Sequence, residues 1–136
     1  MVESVMIDAI RYRVEQTQDM ILVDGCACRG EVDCNLARIR LSGDGEALGE
    51  GRKAQVLMHE VVHAMLYERG REECENEELM DALASGFVNL IRQNPELVQF
   101  IQGKPPDEDI DRIIREMQRL ISEAASNYNF VEKEGE

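Results

Sequence analysis

Apolar and polar residues alternate along two segments in the first third of the chain, a period of two that is typical of β-strands with one buried face. These segments are residues 10–15 and 37–42, and between them residues 20–23 form a short apolar run before the turn-forming pair Asp24-Gly25. The pattern predicts two strands and a turn, followed by a third strand. Arginine occupies the polar side of residues 37–42, so we expect this strand to be half-exposed or to lie at a sheet edge.

The rest of the chain has the periodicity of α-helices. Residues 52–69 are apolar on nearly all sides and are followed by Gly70, a suitable C-terminal cap, which predicts a buried helix. A second helix is predicted over residues 77–93 and a short third one over residues 95–102, because a proline separates them. Beyond a glycine- and proline-rich break, residues 110–126 have the apolar spacing of an amphipathic helix.

Strands followed by helices predict an α+β fold. The chain has 136 residues, which is enough for one domain with its own core, and we assign that domain to residues 1–102. The amphipathic helix, within residues 107–126, is expected to dock on this domain; the alternative is that it pairs with a second copy of the chain in a homodimer. Residues 131–136 are predicted to be disordered.

Charge excludes one large class of partners. The chain has 28 acidic and 15 basic residues and a formal net charge of -13, so it repels phosphate backbones and nucleic acid is not expected as a partner. No apolar run approaches the length of a membrane span, and the first residues lack a signal-peptide pattern. We therefore expect a cytoplasmic protein without a membrane partner, in which cysteines stay reduced.

The helix predicted over residues 52–69 contains the sequence HEVVH, from His59 to His63. Its two histidines lie one turn apart on the same face, which suits two corners of a tetrahedral zinc site, and Glu60 lies beside the metal as a general base. The alternative is a buried helix with two hydrogen-bonded core histidines. That alternative is costly because a carboxylate and two imidazoles would all need desolvated partners. We expect Zn²⁺ as the cofactor.

The third metal ligand cannot be a histidine, because the chain has only two and both are in HEVVH. Glutamate, aspartate and cysteine remain. Glu77 and Asp81 lie four residues apart on one face at the start of the second predicted helix, so we assign Glu77 as the ligand and Asp81 as the residue that orients a ligating histidine. Glu78, Asp81 and Cys74 stay open as alternative ligands.

The sequences HEVVHAML (residues 59–66) and NEELMDALASGFVNLIRQNPEL (residues 76–97) resemble the gluzincin pattern, an HExxH helix followed by a helix with a glutamate ligand. They are most similar to compact metallopeptidases of phages and mobile elements, the ImmA/IrrE-type enzymes and the minigluzincins. The resemblance implies a zincin-like fold with a small twisted sheet of about three or four strands packed on the HExxH helix. It also implies that residues 37–42 form the edge strand of the cleft and bind an extended peptide.

The resemblance further implies a zinc-dependent endopeptidase that hydrolyses an intracellular protein substrate. A histidine that stabilises the oxyanion in larger gluzincins has no counterpart here, and a tyrosine (Tyr12, Tyr67 or Tyr128) or an arginine would have to replace it. The first alternative is therefore a zinc-binding regulatory module with little or no turnover. The second is a metal-free protein that uses its amphipathic helix for assembly.

The four cysteines allow one further hypothesis. A thiolate could occupy the open zinc position and keep the enzyme latent. The default is that they are ordinary reduced side chains, because their spacing matches no closed zinc site. They are Cys26, Cys28, Cys34 and Cys74.

Overall fold

The computed structural model describes residues 2–43, 50–103 and 108–134. The chain divides into two compact units, Met1–Gln93 and Asn94–Glu136, and each is described by itself. The described part has six strands: β1 (Ser4–Ile7), β2 (Ile10–Thr17), β3 (Ile21–Val23), β4 (Cys26–Cys28), β5 (Gly30–Asp33) and β6 (Arg38–Ser42). Its helices are α1 (Glu50–Glu68), α2 (Glu77–Gln93), α3 (Pro95–Gln102) and α4 (Glu108–Glu134), with a 3₁₀ turn at Glu72–Glu75. The predicted α+β class is confirmed.

Four strands form a mixed sheet in the order β1-β2-β6-β5. Strand β2 is antiparallel to β1 and parallel to β6, while β5 is antiparallel to β6. The alternation along the two predicted strands is real: Tyr12, Val14, Ile39 and Leu41 are buried on one face. The sheet thus buries the apolar side of each pattern except at Ile10, which is exposed at the start of β2, and it leaves the arginines on the other face.

The expectation that residues 37–42 form an edge strand is wrong. β6 pairs with β2 on one side and with β5 on the other, so it is an inner strand, and the edge strands of this sheet are β1 and β5. The arginine side is tolerated inside the sheet because cross-strand carboxylates face it, as where Arg40 donates hydrogen bonds to Glu31. The apolar run 20–23 contributes β3, which pairs with β4 in a separate two-stranded ribbon around the turn at Asp24-Gly25.

Helix α1 packs on the buried face of the sheet. Its Ala64 joins the core formed by the inward residues of β1, β2 and β6. The predicted cap is present: Gly70 has φ of 67°, and Arg71 N–H donates to the Leu66 carbonyl at 2.9 Å, as in a Schellman motif. The HEVVH sequence is therefore held against the sheet on a helix with a defined end.

Helix α2 packs along α1 in the same unit and begins and ends at the predicted residues. Its buried side chains are Met80, Ala84 and Val88, spaced four apart. At its start, the side chain of Asn76 accepts a hydrogen bond from Leu79 N–H at 3.1 Å, which is the contact of a helix N-cap. This cap sets the position of the first turn of α2, from Glu77 onward.

The second unit contains α3 and α4. Helix α3 has the predicted bounds, and its C-terminal cap is Gly103, which has φ of 65°. It belongs with α4 and not with the strands, so the structural boundary lies at residue 94, earlier than the predicted end of the first domain at residue 102. Helix α4 continues to Glu134, beyond residue 126, and includes most of the tail that we predicted to be disordered; residues 135–136 lie outside the described residues. Whether α4 docks or dimerises stays a prediction.

Candidate metal centre

The two histidines of HEVVH project from α1 toward the first turn of α2. Their Nε2 atoms are 3.0 Å apart. The Glu77 carboxylate lies against both imidazoles, with Oε2 at 3.0 Å from His59 Nε2 and Oε1 at 3.0 Å from His63 Nε2. His59, His63 and Glu77 are the one group among the described residues whose side chains could hold a metal ion.

The other nitrogen of each imidazole has its own partner. His59 Nδ1 lies 2.8 Å from Asp81 Oδ1, and His63 Nδ1 contacts the carbonyl oxygen of Cys74. A carbonyl or a carboxylate can only accept a hydrogen bond, so each Nδ1 carries the proton and donates it. Each Nε2 of a neutral imidazole then has a free lone pair, as metal ligation requires.

This arrangement brings acceptor atoms together without a donor between them. Two Nε2 lone pairs and a carboxylate converge on one point, which is repulsive unless a cation lies there or an imidazole is protonated. The separations of 3.0 Å are close to the ~3.3 Å expected between ligands of a tetrahedral ion with bonds of about 2.0 Å. The donor set and its spacing therefore fit a small divalent metal.

The alternative ligands are placed differently. The Glu78 carboxylate and the thiol of Cys74 both lie outside the cluster of His59, His63 and Glu77. Asp81 lies on the outer nitrogen of His59, in the orienting position that we predicted for it. The described cysteines are all free, and none belongs to the group around the two histidines.

Glu60 is the one buried charged side chain among the described residues, with 7 % of its surface exposed. It lies next to His59 in the chain and lines the same cleft as the histidines. Burial raises the pKa of Glu60 to about 7; His59 opposes this shift, while the negative charges of Glu77, Glu31 and Asp81 add to it. A carboxylate with this pKa can both accept and return a proton near neutral pH.

The cluster of His59, His63 and Glu77 lies in a cleft of about 960 Å³. One wall is α1, a second is the start of α2, and a third is the edge strand β5 with the turn of the β3–β4 ribbon. Strand β5 was missed from the sequence because its four residues, GEVD, contain a single strongly apolar side chain and no alternating pattern. Strand β5 is recognised only in the structure, from its antiparallel pairing with β6.

The tyrosines do not line this cleft. Tyr12 is fully buried in the core and donates to Glu68, and Tyr67 contacts Asn35 at 3.5 Å. Tyr128 belongs to the second unit. The basic side chains among the lining residues are Arg29 and Arg52, so an arginine is the remaining cationic candidate to stabilise an oxyanion.

Comparisons of the chain with protein-family models, curated proteins and solved structures gave no match. No helix among the described residues is long and apolar enough to cross a bilayer. The fold and the cluster together define an α+β protein with a His-His-Glu site that could hold a metal ion.

Proposed function

We propose that the chain is a zinc-dependent endopeptidase that hydrolyses peptide bonds of an intracellular protein. The observation that carries the proposal is the convergence of His59 Nε2, His63 Nε2 and the Glu77 carboxylate, with each Nδ1 engaged elsewhere. Two imidazoles and one carboxylate are the donor set of a catalytic zinc site, which keeps a further position open. A structural zinc site would normally have four protein ligands.

Glu60 provides the second part of the proposal. When bound, zinc would lower the pKa of a coordinated water and polarise the substrate carbonyl. The Glu60 carboxylate would accept a proton from the attacking water and would then return it to the amine that leaves when the C–N bond breaks. Burial favours this role, since it raises the pKa of the Glu60 carboxyl group and so makes the carboxylate a stronger base.

The edge strand β5 suits a peptide substrate. It pairs with β6 alone among the described strands, so alternate N–H and C=O groups on its outer edge are directed away from the sheet. Three of its residues, 30–32, line the cleft that contains the metal cluster. An extended peptide that adds to β5 would place its backbone across the zinc site.

A zinc-binding regulatory module is the second candidate. It is favoured by the cleft lining, in which the described residues include no tyrosine and no histidine outside HEVVH. The neutral amide and hydroxyl donors of the lining are Gln55 and Ser85, and Gln55 Nε2 already donates to Ser85 Oγ; Arg29 and Arg52 are the charged donors. The two candidates agree on the metal and differ in the need for Glu60.

The test measures zinc in protein purified without added metal. We expect about one zinc per chain in the wild type, its loss in Glu77→Ala, and its retention in Glu78→Ala, a matched control one residue away. Glu60→Gln should keep the zinc and abolish hydrolysis of a quenched fluorescent peptide library, because an amide cannot accept the proton. Zinc-free wild type would refute both candidates, and full activity of Glu60→Gln would refute the peptidase mechanism.

A further inference from the structure

Gly30 lies on the edge strand β5 directly against α1. A Cβ at this position would lie 2.9 Å from Val56 Cγ1, 3.0 Å from Glu60 Oε1 and 3.1 Å from Glu60 Cγ. Carbon atoms in close packing are normally about 3.5–4.0 Å apart, so even a methyl group does not fit without movement of its neighbours. Gly30 is also absent from the glycines with positive φ, so it provides space and not an unusual backbone conformation.

The two side chains nearest to position 30 differ in chemistry, since one is apolar and the other carries a carboxylate. Val56 and Glu60 are one turn apart on α1 and both line the cleft. Val56 contributes packing, whereas Glu60 is almost fully buried and holds its carboxylate beside Gly30. The missing side chain at position 30 leaves the space in which this carboxylate lies.

We propose that Gly30 is a positioning residue for Glu60: its lack of a side chain lets the carboxylate lie between the edge strand and the metal cluster, where it can reach the attacking water. The inference rests on the proposed peptidase function, since it assigns Gly30 through the role of Glu60. It predicts that the smallest enlargement, one methyl group, impairs proton transfer while leaving the metal ligands in place. The three heavy atoms nearest to this methyl belong to Val56 and Glu60, and none of them belongs to His59, His63 or Glu77.

The experiment compares Gly30→Ala with Gly86→Ala. Gly86 is a glycine of α2 at which a Cβ meets nothing within 4 Å, so the second variant adds the same methyl without a clash. Zinc content is measured first. The affinity of the zinc-loaded proteins for acetohydroxamate follows, because this small chelator binds zinc and donates a hydrogen bond to an adjacent carboxylate; Glu60→Gln sets the value expected when the charged acceptor is replaced by a neutral amide, which binds the donor less strongly.

We expect Gly30→Ala to retain one zinc and to bind acetohydroxamate as weakly as Glu60→Gln, with Gly86→Ala unchanged. In hydrolysis of the peptide library, kcat should fall by about 100-fold with KM nearly unchanged, the scale of effect of a misplacement of ~1 Å. Retained zinc with wild-type acetohydroxamate affinity would overturn the positioning role. Zinc-free wild type would instead overturn the proposed function on which it rests.

A further variant distinguishes a direct effect of the added methyl on the Glu60 carboxylate from a general shift of α1. Val56→Ala removes the closest contact, at 2.9 Å, so adding Gly30→Ala to it should cost little stability in urea unfolding. The contact with Glu60 remains in this double variant, and acetohydroxamate affinity should stay low. If affinity recovers together with stability, Gly30 acts only through the packing of α1 and the proposal fails.

Discussion

The proton positions of the two imidazoles are decided by single residues outside HEVVH. Asp81 accepts from His59 Nδ1, and the Cys74 carbonyl accepts from His63 Nδ1, so both Nε2 atoms face Glu77. A ring held by such an outer hydrogen bond keeps its tautomer and its orientation, and it is a stronger metal ligand. The sequence predicted the role of Asp81 from its spacing to Glu77, but it offered no signal for a backbone carbonyl.

Removing the Asp81 carboxylate should weaken metal binding without abolishing it. We expect Asp81→Ala to reduce zinc affinity by about 10–100-fold, the usual effect of losing an outer hydrogen bond to a ligating histidine. Competition with a chromophoric chelator measures the change in zinc affinity. The affinity of Asp81→Asn should lie between those of wild type and Asp81→Ala, because an amide oxygen still accepts a hydrogen bond from His59 Nδ1. Equal affinities of Asp81→Ala and wild type would show that the 2.8 Å contact does not orient His59.

At the scale of elements, the start of α2 brings a carboxylate from another part of the chain to the HEVVH helix. The N-cap Asn76 and the first residue of α2, Glu77, are adjacent, so the cap that starts the helix also sets the position of the carboxylate that faces the two imidazoles. The predicted bounds of α2 match the structure, and its end was predicted from the proline that follows it. Strand β5 lacks any such signal, and it therefore appeared only when its partner β6 was in place.

Removing the cap should destabilise the first turn of α2. Asn76→Ala is expected to lower the free energy of unfolding by about 1 kcal/mol, since Leu79 N–H loses its acceptor. Asn76→Asp keeps an acceptor oxygen and should remain near the wild-type value. Urea unfolding of the metal-free proteins measures both; similar losses in the two variants would mean that the side-chain contact is not what stabilises the helix.

For the whole molecule, the cluster links α1 to α2 inside the first unit. A metal held there should therefore stabilise the unit as a whole. His63 and His59 are 14 and 18 residues from Glu77 along the chain, so these three side chains meet only when the unit folds. The net charge of -13 adds general repulsion, which a bound cation also reduces.

Zinc should accordingly raise the thermal stability of the protein. With free zinc at about 1,000 times the dissociation constant, the expected gain is ~4 kcal/mol in the free energy of unfolding. Calorimetry of zinc-loaded and EDTA-treated protein measures it as a rise in Tm. The His59→Ala/His63→Ala variant is the control and should show no response to zinc; an equal response would place the binding elsewhere in the chain.

The sequence by itself determined the features that depend on near neighbours in the chain. The alternation along β2 and β6 and the shared face of His59 and His63 follow from periods of two or of about 3.6 residues. The Gly70 cap, the turn at Asp24-Gly25 and the break between α2 and α3 at Pro95 follow from the backbone preferences of single residues. These periods and preferences are local, so no knowledge of the fold is needed to find them. Zinc and peptidase activity stay predictions that rest on this local pattern and on the cluster.

Only the tertiary structure decided which distant residues meet. It brings Glu77, and not Glu78, to the two imidazoles. It also places β6 inside the sheet, with β5 at one edge, and Gly30 against Glu60. Each of these features depends on the distance between segments that are well separated in the chain. Packing of the common core sets that distance, and no periodic pattern in the sequence predicts it.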